Sequence, residues 1–196
     1  MRLIVQKFGG TSVADAATRA KAIGHVAQAI AAGYSPVVVV SAIGRLGAPY
    51  ATDTLAGLLA TQDGPAPDRR ELDLVMSCGE IISAAIFAGQ LRAQAIDAVA
   101  LTGAQAGIRT DEAHGAATIL DIRPDALLSL AGRGKVPVVA GFQGVTAAGE
   151  ITTLGRGGSD ITAVALGGAL HAELTEIFTD VDGVMTADPR MVPDAQ

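Results

Sequence analysis

The sequence is poor in the groups that build disulfides, metal cages and stacking surfaces. Its 196 residues contain one cysteine, Cys78, and no tryptophan, and aromatic residues make up only 3%. One thiol excludes an intramolecular disulfide and any cysteine-based metal site; beside Gly79 it reads as a small buried side chain. Few rings and a formal net charge of −6 exclude the basic, base-stacking face that nucleic acid requires. No uninterrupted apolar run reaches the ~18 residues of a membrane span, and Lys7 breaks the first apolar segment too early for a signal sequence. The three histidines, His25, His114 and His171, are scattered without a partner at metal-ligand spacing, so surface or structural roles are expected and no metal ligands are assigned. No nucleophile–His–acid arrangement stands out, which leaves covalent catalysis without support. The expectation is a soluble, cytoplasmic protein that binds anionic ligands locally, against its own field.

Apolar residues, at 49%, are abundant enough for one domain with a substantial core. Short runs rich in Val, Ile or Leu predict strands over residues 2–6, 36–40, 96–101, 136–141 and 174–178. Val37 to Val40 are apolar at every position, as in strands covered on both faces. Helical patterns fall at 18–32, 52–60, 70–93, 116–132 and 159–172, and the connections suit crossovers rather than hairpins. This alternation predicts a three-layer α/β/α sandwich with a mainly parallel central sheet. Residues 61–68, with Gly64, Pro65 and Pro67, read as an exposed loop rather than a domain boundary.

Ligands of open α/β sheets bind beyond the carboxyl ends of the strands. There the sequence places Lys7 with Gly9, Gly10, Thr11 and Ser12, then Ser41, then Thr102 and Gly103, then Phe142 to Gly144, and finally Thr179 and Asp180. Gly155-Arg156-Gly157-Gly158-Ser159-Asp160 opens the last helical run with three glycines, a cation, a hydroxyl and a carboxylate. Glycines let main-chain N–H groups approach a ligand, and a helix N-terminus adds free donors and a positive dipole end. Arg156 can fork onto a carboxylate or phosphate.

Three familiar motifs fail on spacing. A dinucleotide fingerprint needs glycine where Asp160 stands, and Walker A needs Ser or Thr after Gly134-Lys135, where Val136 stands. A calcium loop starting at Asp180 meets Met191 at its twelfth position instead of Glu. A lysine at a strand end, two glycine-rich cradles and two carboxylates match phosphoryl transfer, which relies on electrostatic stabilisation and in-line positioning.

KFGGTSV at 7–13 and TTLGRGGSD at 152–160 together resemble the aspartate kinases of the amino-acid kinase superfamily. The resemblance continues through SCGE at 77–80, LTGAQAG at 101–107, AGFQG at 140–144 and FTDVDGVMTADPR at 178–190, in the expected order. Residues 41–55 look like the monofunctional bacterial type. The resemblance implies the amino-acid kinase fold and transfer of the γ-phosphoryl group of ATP, carried with Mg²⁺, to the side-chain carboxylate of L-aspartate. That reaction feeds lysine, diaminopimelate, threonine and methionine biosynthesis.

Carried over by motif, Lys7 stabilises the transferring group and Asp160 orients that lysine. Ser41, Thr52, Glu80, Phe142 and Arg156 line the aspartate site, with Arg156 on a carboxylate and Glu80 near the amino group; Thr54 is an alternative to Thr52. Gly157, Gly158 and Ser159 lie between substrate and phosphates. Gly9, Gly10 and Ser12 surround the phosphates, and Thr179, Asp180, Met185 and Arg190 contact the nucleotide, Met185 standing where many relatives have Tyr. Relatives continue past the equivalent of Gln196 with further nucleotide-side sequence and paired ACT domains. Residues 1–196 are therefore expected to be a catalytic domain incomplete on its nucleotide side, with no ACT domain in the chain. A homo-oligomer is expected of the full-length family. Kinases acting on glutamate, acetylglutamate, carbamate or UMP, and a non-catalytic fragment or subunit, remain alternatives; KFGGTSV with SCGE disfavours the other kinases.

Overall fold

A central sheet grows from the short runs rich in Val, Ile and Leu. In the computed structural model, which describes residues 1–60 and 64–179, β1 (Arg2–Phe8), β2 (Tyr34–Val40), β3 (Ala98–Leu101), β6 (Val136–Ala140) and β9 (Leu174–Phe178) form one sheet in the order β3-β6-β2-β1-β9. Every pairing in it is parallel. Val37 to Val40 are all 0% exposed, because β2 is covered on both faces. Val38, Val40 and Phe8 pack toward α1 (Ala16–Ala31) and α3 (Arg69–Ala93), among Ile23, Val26, Phe87 and Leu91. Val5, Val37 and Val39 pack toward α4 (Asp125–Gly132) and α5 (Gly158–Ala169), among Leu127 and Leu166. Three layers result, and each fully buried Val or Leu contributes roughly 1.5–3 kcal/mol.

The helix boundaries follow local chemistry. Asp15 and Thr18 form a capping box at α1, the Thr18 amide donating to Asp15 at 2.8 Å and the Asp15 amide to the Thr18 hydroxyl at 3.1 Å. Asp68 accepts from the Arg70 amide at 2.8 Å to start α3. α3 is long and apolar enough to cross a membrane by length and composition alone. Asp73, Ser77 and Glu80 lie on its buried face with Phe87 and Leu91, which makes it the core helix. The short α2 (Thr52–Gly57) packs beside it.

Two expectations are corrected. Residues 116–132 are not one helix: β5 (Ile119–Ile122) precedes α4, separated from it by Arg123 and Pro124. β5 joins β4 (Ile108–Thr110), β7 (Gln143–Val145) and β8 (Ile151–Thr153) in a second sheet, order β5-β4-β7-β8, which the sequence reading missed. Cys78, expected to be buried, is exposed. Of the 61–68 loop, the described residues Gly64 to Asp68 are mostly exposed, as expected.

Candidate active site

A cleft of about 510 Å³ opens at the carboxyl edge of the central sheet. Lys7, Ser41, Thr52, Glu80, Phe142, Arg156, Gly157, Gly158, Ser159 and Asp160 all line it. Six different segments thus bring ten of the sequence-derived candidates together. Lys7 shares the face of β1 with Val5, since strand side chains alternate, and its residue is only 6% exposed. Its Nζ lies 2.7 Å from Asp160 Oδ1, an ion pair that aims the amine along the start of α5. Asp160 stands in the first turn of that helix, where a carboxylate also favours the dipole.

The turn before α5 is set by glycine. Gly155 and Gly157 both have φ near +74°, a left-handed conformation that side chains resist, and exposed Arg156 is held between them. The Gly158 amide donates to Gly155 O, and the Asp160 and Ile161 amides donate to Gly157 O. Among the described residues, the Gly155, Arg156, Gly157 and Ser159 amides have no acceptor, which leaves them as the donors of this turn for an anion. Gly158 acts by size: a Cβ there would meet the Phe142 ring at 2.6 Å and Leu154 Cβ at 3.1 Å.

Phe142 itself is strained, with φ +70°. The Thr162 hydroxyl accepts its amide at 3.0 Å and Leu154 N donates to its carbonyl at 2.8 Å. These contacts hold a conformation that costs about 1–3 kcal/mol and occurs mostly at functional sites.

Glu80 is the electrostatic outlier. It is 2% exposed, its Oε1 accepts from the Ala42 amide at 3.1 Å, and its Oε2 has no hydrogen bond. Burial pushes its carboxyl up to about 8, with the Ala42 amide, its own amide and the nearby Thr52 hydroxyl offsetting part of the effect. An orphaned buried oxygen facing a cleft is a site for a cationic ligand group. Thr52 lines the cleft, whereas Thr54 accepts from the Gly47 amide through its hydroxyl at 3.1 Å. Of the two threonines, Thr52 is the one at the cleft.

Not every candidate lies in this cleft. Ser12 and Thr179 line a second, more apolar cleft of about 380 Å³ with Phe8, Lys21, His25 and Phe178. Gly9 sits beside the lysine, 3.6 Å from its Nζ to the position of a Cβ. Gly10 is packed against backbone: a Cβ would stand 2.6 Å from Gly44 O and 2.7 Å from Ala42 O. It thereby docks the KFGGTSV turn onto the loop after β2. Asp180, Met185 and Arg190 lie outside the described residues. Gly155, the first residue of the expected cradle, also lines the cleft, whereas the sequence reading missed Asp53, Met76, Gly115 and Thr153 as cleft lining. It also missed Asp73, whose seven-residue spacing to Glu80 put both acids on one helix face.

The chain is similar over its whole length to Aspartokinase 1 of Bacillus subtilis, at 55% identity, and covers 48% of that protein. Among solved structures, aspartate kinase from Synechocystis is 47% identical with a TM-score of 0.78, covering 99% of this chain and 31% of that one. Aspartokinase III of E. coli in complex with aspartate and ADP is 28% identical with a TM-score of 0.81, covering 100% of this chain and 53% of that one. The chain thus spans about half the length of the curated relatives it matches. The amino acid kinase family model matches residues 2–196, in agreement with the parallel sheet and the cleft at its carboxyl edge, and the chain belongs to that family.

Proposed function

We propose that this chain forms the acceptor-binding and phosphoryl-transfer side of an aspartate kinase, which moves the γ-phosphoryl group of ATP to the side-chain carboxylate of L-aspartate. The observation that carries the reading is one cleft with three separate charges: the Lys7–Asp160 pair, exposed Arg156 and buried, half-satisfied Glu80. An amino acid with two carboxylates and an ammonium group needs all of them. Glu80 takes the ammonium, whose charge brings its carboxyl into the ionised form. Arg156 forks onto one carboxylate, and the other is left as the nucleophile near the start of α5. Similarity to an aspartokinase solved with aspartate and ADP supports the same substrate pair.

The attacking oxygen belongs to the substrate, so no side-chain nucleophile is needed. Lys7 follows negative charge onto the transferring group and the leaving oxygen, while Asp160 keeps its ammonium oriented between turnovers. The Gly155, Arg156, Gly157 and Ser159 amides are the turn's remaining donors for the anions that meet there. The nucleotide fits the glycine turn at residues 9 and 10, beside the lysine. Mg²⁺ would arrive with the nucleotide and would supply further neutralisation of phosphate charge beside Lys7. The remaining nucleotide contacts belong to Thr179, Asp180, Met185 and Arg190. ATP and free amino acids are cytoplasmic metabolites, so the reading assigns the enzyme to the cytoplasm, with a homo-oligomer expected of the full-length family.

The test is trapping of aspartyl phosphate as its hydroxamate from the full-length protein with ATP, Mg²⁺ and L-aspartate. Product is expected from the native protein, with a loss of at least about 10²–10³-fold in kcat for Lys7→Ala at unchanged folding. Phosphorylation of glutamate in preference to aspartate rejects the substrate assignment, and a near-normal rate for Lys7→Ala rejects the role of the lysine.

A further inference from the structure

Asp73 is 0% exposed and has no part in the transfer scheme, yet its carboxylate takes hydrogen bonds from three groups outside its helix. The Gly115 amide donates to both of its oxygens, at 3.0 and 3.1 Å. The Thr153 hydroxyl donates to Oδ1 at 2.5 Å, and His114 Nδ1 lies 2.8 Å from Oδ2, which assigns the ring proton to Nδ1. Gly115 and Thr153 both line the substrate cleft.

These contacts reach the arginine. The loop carrying His114 and Gly115 is closed on itself by Asp111, whose Oδ1 accepts from the Ala113 and Thr118 amides at 3.1 and 3.0 Å. It is tied to β8 by the Ala117 amide donating to Thr153 O at 2.9 Å. Gly115 O in turn lies 3.3 Å from the position of a Cβ on Gly155, so the loop rests directly against the turn that presents Arg156.

We infer that Asp73 is a positioning residue for the amino-acid substrate: one buried carboxylate fixes the Gly115–Thr153 wall, and with it Arg156, to the helix face that carries Glu80. Asp73 and Glu80 stand seven residues apart on α3, about 10 Å along the axis and about 20° around it. An amino acid presents its ammonium and carboxylates at set separations, so the distance between Glu80 and Arg156 must be held. Lys7 and Asp160 sit on β1 and α5 and make no contact with Asp73, so the smaller effect is expected on the nucleotide side. The inference rests on the aspartate kinase reading.

The experiment measures both KM values in the full-length protein. Asp73→Asn places an amide NH₂ among three donors, so at least one of them loses its acceptor. Thr153→Val removes a single donor at nearly constant volume and carries the test alone if Asp73→Asn does not fold. The expected result is a rise of about tenfold in the KM for aspartate in Asp73→Asn and about threefold in Thr153→Val, with the KM for ATP within about twofold of native. The double variant falls short of the product of the two effects, because both act on one network. Folded variants with an unchanged KM for aspartate, or with both KM values raised equally, overturn the role of Asp73 while native turnover stands. A native protein that makes no aspartyl phosphate removes the functional reading and this inference together.

Discussion

Two turns of the same helix hold two buried carboxylates in opposite circumstances. Asp73 is surrounded by donors from the 114–115 loop and β8, whereas Glu80 has one amide on Oε1 and nothing on Oε2. Both are desolvated to a similar degree, at 0% and 2% exposure, so burial alone does not separate them. The difference lies in the donors supplied. A carboxylate with its hydrogen bonds complete braces structure, and one left incomplete at a cleft waits for a ligand.

The largest kinetic effect expected from this contrast is on substrate affinity. Glu80→Gln keeps the acceptor for the Ala42 amide but removes the charge that meets an ammonium group. Loss of one charged hydrogen bond, worth about 1.5–3 kcal/mol, predicts a rise of roughly 10- to 150-fold in the KM for aspartate. Asp73→Asn gives the smaller rise described above. Equal effects from the two variants would dissolve the distinction between a group that touches the substrate and one that only places others.

A second effect of the same contrast concerns stability in the ligand-free protein. The Glu80 carboxyl titrates near 8 when folded and near 4.5 in its ordinary state. Between those values the folded state holds a proton that the unfolded state has lost, so stability falls as pH rises. The contribution is fully present below about pH 4.5 and is lost progressively up to and through pH 8. A separation of this size corresponds to roughly 3–5 kcal/mol. Urea melts from pH 5 to pH 9 should show the decline in native protein and a flatter profile in Glu80→Gln. Parallel profiles in the two proteins would mean that Glu80 is solvated or paired after all.

How much of this was legible in the sequence depends on the length over which a pattern repeats. The central strands β2 and β6 announce themselves because coverage on both faces demands continuous apolar residues, and the other three strands of that sheet are short Val-, Ile- or Leu-rich runs beside them. The second sheet is built from strands of three or four residues, too few for a period of two to show. At 119–122 the apolar positions Ile119 and Ile122 are spaced as a helix would space them, and so they merged with α4. Lys7, Glu80, Arg156 and Asp160 were legible from motifs, and the structure brings them to one cleft. Asp73 was not, because its three partners lie 41 to 80 residues away and only the fold brings them near.

Cys78 marks where helical phase was readable but local chemistry was followed instead. At 100° per residue it lies about 160° from Glu80 and about 140° from Asp73, on the face opposite both. The small neighbour that suggested burial, Gly79, does face inward: a Cβ there would meet Tyr50 O at 2.8 Å and Ala42 Cβ at 2.9 Å. Cys78 instead points outward, its Sγ only 3.5 Å from the Leu74 carbonyl one turn back. Cys78→Ser should therefore change stability by less than about 0.5 kcal/mol and leave both KM values alone. Placed beside Asp73→Asn and Glu80→Gln, it makes α3 its own control: three positions within eight residues, with effects ordered by the face they occupy and the donors they meet. A loss of aspartate affinity in Cys78→Ser would show that any disturbance of this helix is transmitted to the cleft, and the special standing of Asp73 would go with it.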